Sequence, residues 1–390
     1  MWATRIPGGI WALGLVSLFM DLSSELIHAL LPVYLVTILG TSMLTVGIIE
    51  GIAEATASIT KVFSGALSDA LGRRKGLVVL GYGLAAITKP VFAMASTVHW
   101  VMAARFVDRV GKGIRGAPRD ALIADLSPES VRGASFGLRQ TLDTTGAFLG
   151  PLLAIALMWL TSDHFRLVFA IATVPAFIAV GLLILGVREP PRRAPVASLQ
   201  VPLGLQQLRG LGRAFHGLVA FALLFSLARF SEAFLILKAE ASGLALWLVP
   251  AVLVIMNLAY AGAAYPAGIL SDRAGRVTTL AAGLVLLIAA HGVLAASDAL
   301  PGVALGVVLW GLHMAFTQSI LASLVADLVP PGRRGTAYGI INLVTGLGLL
   351  AASLLAGALW DAAGPSATFL TGAGLAFACV LALPLLRRSA

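Results

Sequence analysis

Twelve stretches of this chain are each long and apolar enough to cross a bilayer, which leaves few folds open. A spanning helix needs about 20 mostly apolar residues. Such runs fall at 10–38, 45–66, 77–95, 98–120, 133–160 and 165–187, then at 215–238, 244–267, 277–296, 301–325, 335–360 and 365–386. Composition agrees: 59% of residues are hydrophobic and 12% charged. A soluble domain has about 45–50% apolar and about 25% charged residues. The first run contains Asp21 and Glu25 and has no small-residue cleavage pattern, so it is read as a retained helix and not as a signal peptide. The single cysteine, Cys379, excludes an internal disulfide framework. The expectation is an all-α membrane protein.

Charge sets the sidedness. Connections on one side hold sixteen lysines and arginines, against Arg166 and Lys238 on the other. By the positive-inside rule both termini are cytoplasmic. The net charge of +9 therefore lies along one membrane face, and no nucleic-acid partner is expected. The one long polar interruption, 188–213, holds four prolines and five arginines and reads as a cytoplasmic linker. It divides the chain into a bundle at 1–187 and a bundle at 214–390. Two strings recur about half a chain apart. ADLSPESVRG at 124–133 returns as ADLVPPGRRG at 326–335, and GALSDALGRR at 65–74 returns as GILSDRAGRV at 268–277. Each falls in a cytoplasmic connection. The chain is thus expected to be a six-helix unit used twice in parallel, twelve transmembrane helices in two pseudo-symmetric bundles. Parallel six-helix repeats are a transporter architecture.

These strings resemble the major facilitator superfamily. GALSDALGRRK is similar to the family's loop motif between helices 2 and 3, with Ala70 where arginine is common. RVGKGIRGA at 109–117 resembles its helix-4 motif, with Lys112 in place of glutamine. GAFLGP at 146–151 resembles the helix-5 motif of the drug/proton antiporter branch, carried by Gly146, Gly150 and Pro151, with Ala154 in place of its trailing glycine. The string DRVGKGIRGAPRDALIAD resembles a poorly characterised prokaryotic branch. The resemblance implies a cytoplasmic gate of Gly65, Asp69, Gly72, Arg73, Arg74, Asp125, Asp272, Arg276 and Asp327. In the family the loop aspartate meets the start of helix 11, here Arg333–Thr336. By symmetry Asp272 would meet the start of helix 5 near Arg132–Ser135. A carboxylate is favoured at a helix N-terminus, and breaking such contacts opens the cytoplasmic side.

Charges inside the spans carry the functional information. Lys61, Lys89, Arg105, Arg109, Arg139 and Arg229 together would cost about 15–20 kcal/mol if exposed to lipid, so they must face partners or a wet cavity. Helix 4 places Arg105, Asp108, Arg109, Lys112, Arg115 and Arg119 on one broad stripe, whereas the equivalent part of helix 10 carries only His313 as a titratable group. The resemblance implies that helices 1, 4, 7 and 10 line the cavity. Arg105, Arg109, Lys112, Arg229, Glu232, His313 and Gln318 are then the candidate substrate contacts. Asp21, Glu25, Glu54 and Asp143 are the candidate proton-coupling carboxylates, since a buried carboxylate beside arginines can exchange a proton as the cavity alternates.

The reading is a secondary transporter that moves a small organic solute, by proton-coupled efflux. Import or facilitated passage of an organic anion is the alternative, and a divalent metal or metal chelate on Asp21, Glu25 and His28 is a further one. The sequence has no P-loop, nucleophile elbow or metal-ligand motif. An enzyme, a cofactor and a primary pump are accordingly not expected. The expected protein is a monomer in a prokaryotic inner membrane.

Overall fold

Apolar side chains drive these segments into lipid, and there each backbone N–H finds its acceptor within its own helix. The computed structural model describes residues 6–71, 73–188, 211–329 and 334–387, leaving out the side chains of Asp69, Ala70, Glu129, Ser319, Ala322, Ala326, Arg334, Gly335 and residues 385–387. Among the described residues there is no strand. The helices are α1 (Gly8–His28), α2 (Met43–Leu71), α3 (Lys75–Met94), α4 (Val98–Leu126), α5 (Arg132–Leu160) and α6 (Phe165–Gly186). They continue as α7 (Gly212–Leu227), α8 (Ala233–Ala241), α9 (Ala251–Ala274), α10 (Arg276–Ala296), α11 (Leu300–Leu328) and α12 (Arg334–Arg387).

Each expected span is largely helical. Nine helical segments among the described residues are by themselves long and apolar enough to cross a membrane. The difference from twelve has three causes. The charges of α4 lower its hydropathy. The span expected at 215–238 is broken, with α7 ending at Leu227 and α8 beginning at Ala233. The last two spans run together as α12, whose helical geometry breaks only at Gly364 (φ 81°, ψ 176°) ahead of Pro365. A positive φ is open to glycine at little cost. Beyond α1 the chain turns through Leu31–Val33 into a π-helical stretch, Tyr34–Ile38, where Pro32 lacks the N–H needed to continue the regular ladder.

The chain forms two compact units, Met1–Leu39 with Thr56–Val201 and Gly40–Ala55 with Pro202–Ala390. Residues 189–210 of the expected linker lie outside the described residues. In the first unit α1 packs along α5 and α6, and α3 along α4. In the second, α10 packs along α11 and α12, and α7 along α12. The core of the first unit is built from Leu13, Val16 and Met20 of α1 with Val78 of α3 and Ala179 and Leu183 of α6.

The α1–α5 seam explains the helix-5 glycines. A Cβ on Gly146 would sit 2.3 Å from the carbonyl oxygen of Leu18, and one on Gly150 would sit 2.8 Å from Cβ of Glu25. Gly146→Val is expected to destabilise by about 1–3 kcal/mol or more, because backbone cannot yield as a side chain does. Gly137→Ala, on the same helix with nothing within 4 Å, is the control. Thermal unfolding in detergent measures both, and equal midpoints would show that the seam tolerates a side chain.

Candidate functional site

The stripe on α4 meets α1 and α3 inside the first unit. Lys89 of α3 donates to Asp108 Oδ1 at 3.0 Å and to Ser24 Oγ of α1 at 3.1 Å, tying three helices at one point. Asp108 Oδ2 lies 3.3 Å from Arg109 Nε. Arg115 lies over the Tyr82 ring, 4.5 Å from its centroid, a cation–π contact. Lys89, Arg105, Asp108, Arg109 and Arg115 are all no more than 5% exposed. This buried set therefore holds four cations and one carboxylate. The Nη1 of Arg115 is buried and has no hydrogen-bond partner among the described residues.

A second cluster adjoins the first. Asp143 of α5 accepts from Arg139 Nη2 at 2.9 Å, and Arg119 Nη1 lies 3.8 Å from the same oxygen. Arg119 also reaches Tyr82 Oη and Ser17 Oγ, each at 3.4 Å. Asp21 of α1 neighbours Asp143, with Arg115 and Lys112 also near it. Glu25 is engaged by His28, with Nδ1 and Oε2 3.2 Å apart.

The second unit contains a cavity of about 250 Å³. It is lined by Ser226, Arg229, Gln318, Tyr338 and Asn342 together with Phe225 and aliphatic side chains. Arg229 and Glu232 lie in the unwound stretch between α7 and α8, 3.6 Å apart. Two features hold that break. His291 Nε2–H donates to the Ala228 carbonyl at 3.0 Å, an acceptor left over where α7 stops. Phe230 sits among Phe234, His291, Trp310 and Phe369, with ring centroids 5.3–5.7 Å away.

Near the ends of the bundles, each unit has an equivalent ion pair. Arg74 Nη1 lies 3.0 Å from Asp125 Oδ2, and Arg276 pairs with Asp327. Both members of the second pair stand 202 positions after those of the first, the offset of the repeated ADL strings.

Helices this apolar, built on a duplicated plan around buried charge, match one family of proteins. The family model for the Major Facilitator Superfamily covers residues 13–256 and 233–390. The chain belongs to the major facilitator superfamily (MFS). An MFS-type transporter of Methanocaldococcus jannaschii, described as uncharacterised, is 32% identical over 384 residues, 95% of this chain and 93% of that one. The multidrug resistance protein MdtH of Aeromonas hydrophila is 24% identical over 362 residues, 90% of this chain and 88% of that one. The crystal structure of the human organic anion transporter MFSD10 matches with a TM-score of 0.66 at 21% identity, over 96% of this chain and 99% of that one. The chain has the MFS fold and is an MFS membrane transporter.

The MFS fold gathers some of the expected residues and separates others. Asp21, Glu25, Arg105, Arg109, Lys112 and Asp143 all belong to the first unit, with Lys112 on its exposed side. Glu54 groups with the second unit. Arg229 and Gln318 wall the cavity there, but His313, expected beside them, does not. It is fully buried between Phe225 and Trp310, and its Nδ1–H donates to the Gly283 carbonyl at 3.1 Å. Gly65 packs against Ala117, with 3.4 Å to a Cβ built on it. Arg73 and Asp272 are exposed. The Asp69 side chain, Gly72 and Arg333 lie outside the described residues. Tyr82, Ser17 and Ser24 were not among the expected residues, since neutral side chains in apolar runs give no charge signal. Lys89 did give that signal, but its partners lie on other helices. Asp21, Glu25 and His28 form no metal-binding group of three or more among the described residues.

Proposed function

We propose that this MFS transporter carries a small organic anion out of the cell by alternating access, in exchange for protons, with both termini in the cytoplasm. The observation that supports the cargo class is Arg115, buried on α4 beside Arg105 and Arg109, with an N–H that has no acceptor among the described residues. Buried charge is expensive unless it is compensated, and an anionic cargo supplies compensation where it binds. The arginines suit a carboxylate or phosphate, because the guanidinium presents a planar fork of donors. Arg115, with a buried N–H lacking an acceptor and its face fixed by Tyr82, is the leading contact. The human protein described as an organic anion transporter shares the fold. The relative named for multidrug resistance is the support for efflux.

The test is transport by the purified protein in proteoliposomes with an imposed pH gradient, against a panel of organic anions, cations and zwitterions. Movement of anions alone is the expected outcome. Arg115→Leu is expected to lower it about 30-fold or more, the usual cost of removing one partner from a buried charge contact. Transport of cations or neutral solutes with equal efficiency, unaffected by Arg115→Leu, would overturn the cargo class. Vesicles loaded on either side report direction.

A further inference from the structure

We propose that Asp361 is the latch of an outer gate, holding the first turn of α2 and releasing it when the outward-facing state forms. The first N–H groups of a helix have no acceptor within it. In α2 those of Met43 and Leu44 donate to the two carboxylate oxygens of Asp361, at 3.0 and 2.8 Å. The N–H of Thr45 donates to Ser42 Oγ at 3.2 Å. One carboxylate more than 300 positions along the chain thus caps the positive end of the helix with both its oxygens, the arrangement the helix dipole favours.

Below this cap the two backbones touch. Gly47 and Gly51, one turn apart on α2, face residues 350–357 of α12. A Cβ on Gly47 would lie 2.2 Å from the carbonyl oxygen of Ser353, and one on Gly51 would lie 3.0 Å from Cα of Leu350. A Cβ on Gly357 would lie 2.5 Å from the carbonyl oxygen of Met43. Ser353, Gly357 and Asp361 follow at four-residue steps, so they form one stripe ending in the latch. Small residues at this spacing let membrane helices approach closely.

Two features mark the seam as separable. At Gly47 and Gly357 it is backbone against backbone, and the one large side chain laid over these glycines is Leu350 at Gly51. Its polar part is exposed, so water can replace the hydrogen bonds as they break: Asp361 is exposed, unlike the buried carboxylate Asp108. The helix that carries the capped turn also belongs to both units. Residues 40–55 group with the second, and α2 continues into the first from Thr56. Alternating access must release one end of such a helix, and Asp361 holds the end opposite the arginine-rich connections. This assignment rests on the transporter reading and its sidedness but not on the cargo.

The test needs no cargo. With Cys379→Ser as background, Ser353→Cys places a small thiol in the seam at a residue 2% exposed. A membrane-impermeant thiol reagent is added to right-side-out vesicles and to inside-out ones. Asp361→Asn removes the charge and one acceptor. Met43→Pro removes one donor, at a position where a helix tolerates proline. Each is expected to raise the labelling rate about tenfold in right-side-out vesicles only, with little further rise when the two are combined. The control is buried Cys379 in the otherwise native chain carrying Asp361→Asn, whose labelling should not change. An unchanged rate at Ser353→Cys would overturn the proposal. So would a rise confined to inside-out vesicles, or a parallel rise at Cys379, which would mean that Asp361 only supports the fold.

Discussion

Asp108→Asn is expected to produce the largest loss of stability of any single substitution on α4, about 3–5 kcal/mol, as when one member of a buried ion pair is removed. Asp108 is the one carboxylate among five buried charges, and its two oxygens lie on Lys89 and Arg109. Asparagine keeps the shape but loses the charge, and its amide would turn donors toward donors. The control is Asp120→Asn on the same helix. The Asp120 side chain is 43% exposed and pairs with its neighbour Arg119, so its loss is expected to cost less than about 1 kcal/mol. Thermal unfolding in detergent distinguishes the two. Adding Lys89→Met to Asp108→Asn should recover part of the loss, because one of the uncompensated cations goes with it, and the double-mutant cycle measures that coupling. An anionic cargo should stabilise Asp108→Asn more than the native chain, since it restores the missing charge. If Asp108→Asn unfolds with the native midpoint, the cluster is hydrated and its cation excess no longer argues for an anion.

The contrast between Asp108 and Asp120 also shows what the sequence can disclose. The apolar runs were sufficient for most of the helices, because a membrane helix satisfies its backbone locally and owes little to its neighbours. Spacing alone put Arg105, Asp108, Arg109 and Arg115 on one stripe. It did not select Asp108 as their centre, because Lys89 and Ser24 come from other helices. Tyr82 beneath Arg115 was silent for a different reason, since a neutral ring in an apolar span looks like packing. The break at 228–232 carries neither proline nor glycine, so no local signal marks it. It is held by His291 and by the rings around Phe230, all distant in sequence. Gly364–Pro365, by contrast, marks its own break. Asp361 lies just beyond an expected span, where a carboxylate is unremarkable until the helix it caps is known.

Asp21→Asn is expected to uncouple transport from the proton gradient while leaving cargo exchange intact. Sequence spacing left Asp21 and Glu25 as equal candidates, and their surroundings separate them. Glu25 already has His28 at 3.2 Å. Asp21 instead faces the carboxyl of Asp143, which Arg139 holds at 2.9 Å. Two neighbouring carboxylates repel each other when both are charged, which makes Asp21 the proposed site at which the coupled proton is taken up. A one-unit pH gradient is worth about 1.4 kcal/mol per proton, enough for about tenfold accumulation when one proton moves per cargo molecule. In Asp21→Asn that ratio should fall to about one, while counterflow between equal pH values persists. Asp143→Asn should also lose accumulation, and it frees Arg139 and Arg119 as well, so its cargo affinity should shift. Glu25→Gln should keep the tenfold ratio. Accumulation and counterflow measured side by side in matched proteoliposomes decide the matter. If Asp21→Asn and Asp143→Asn both accumulate cargo like the native chain, the proton is carried elsewhere, and Glu25 and Glu54 are the remaining candidates among the four carboxylates.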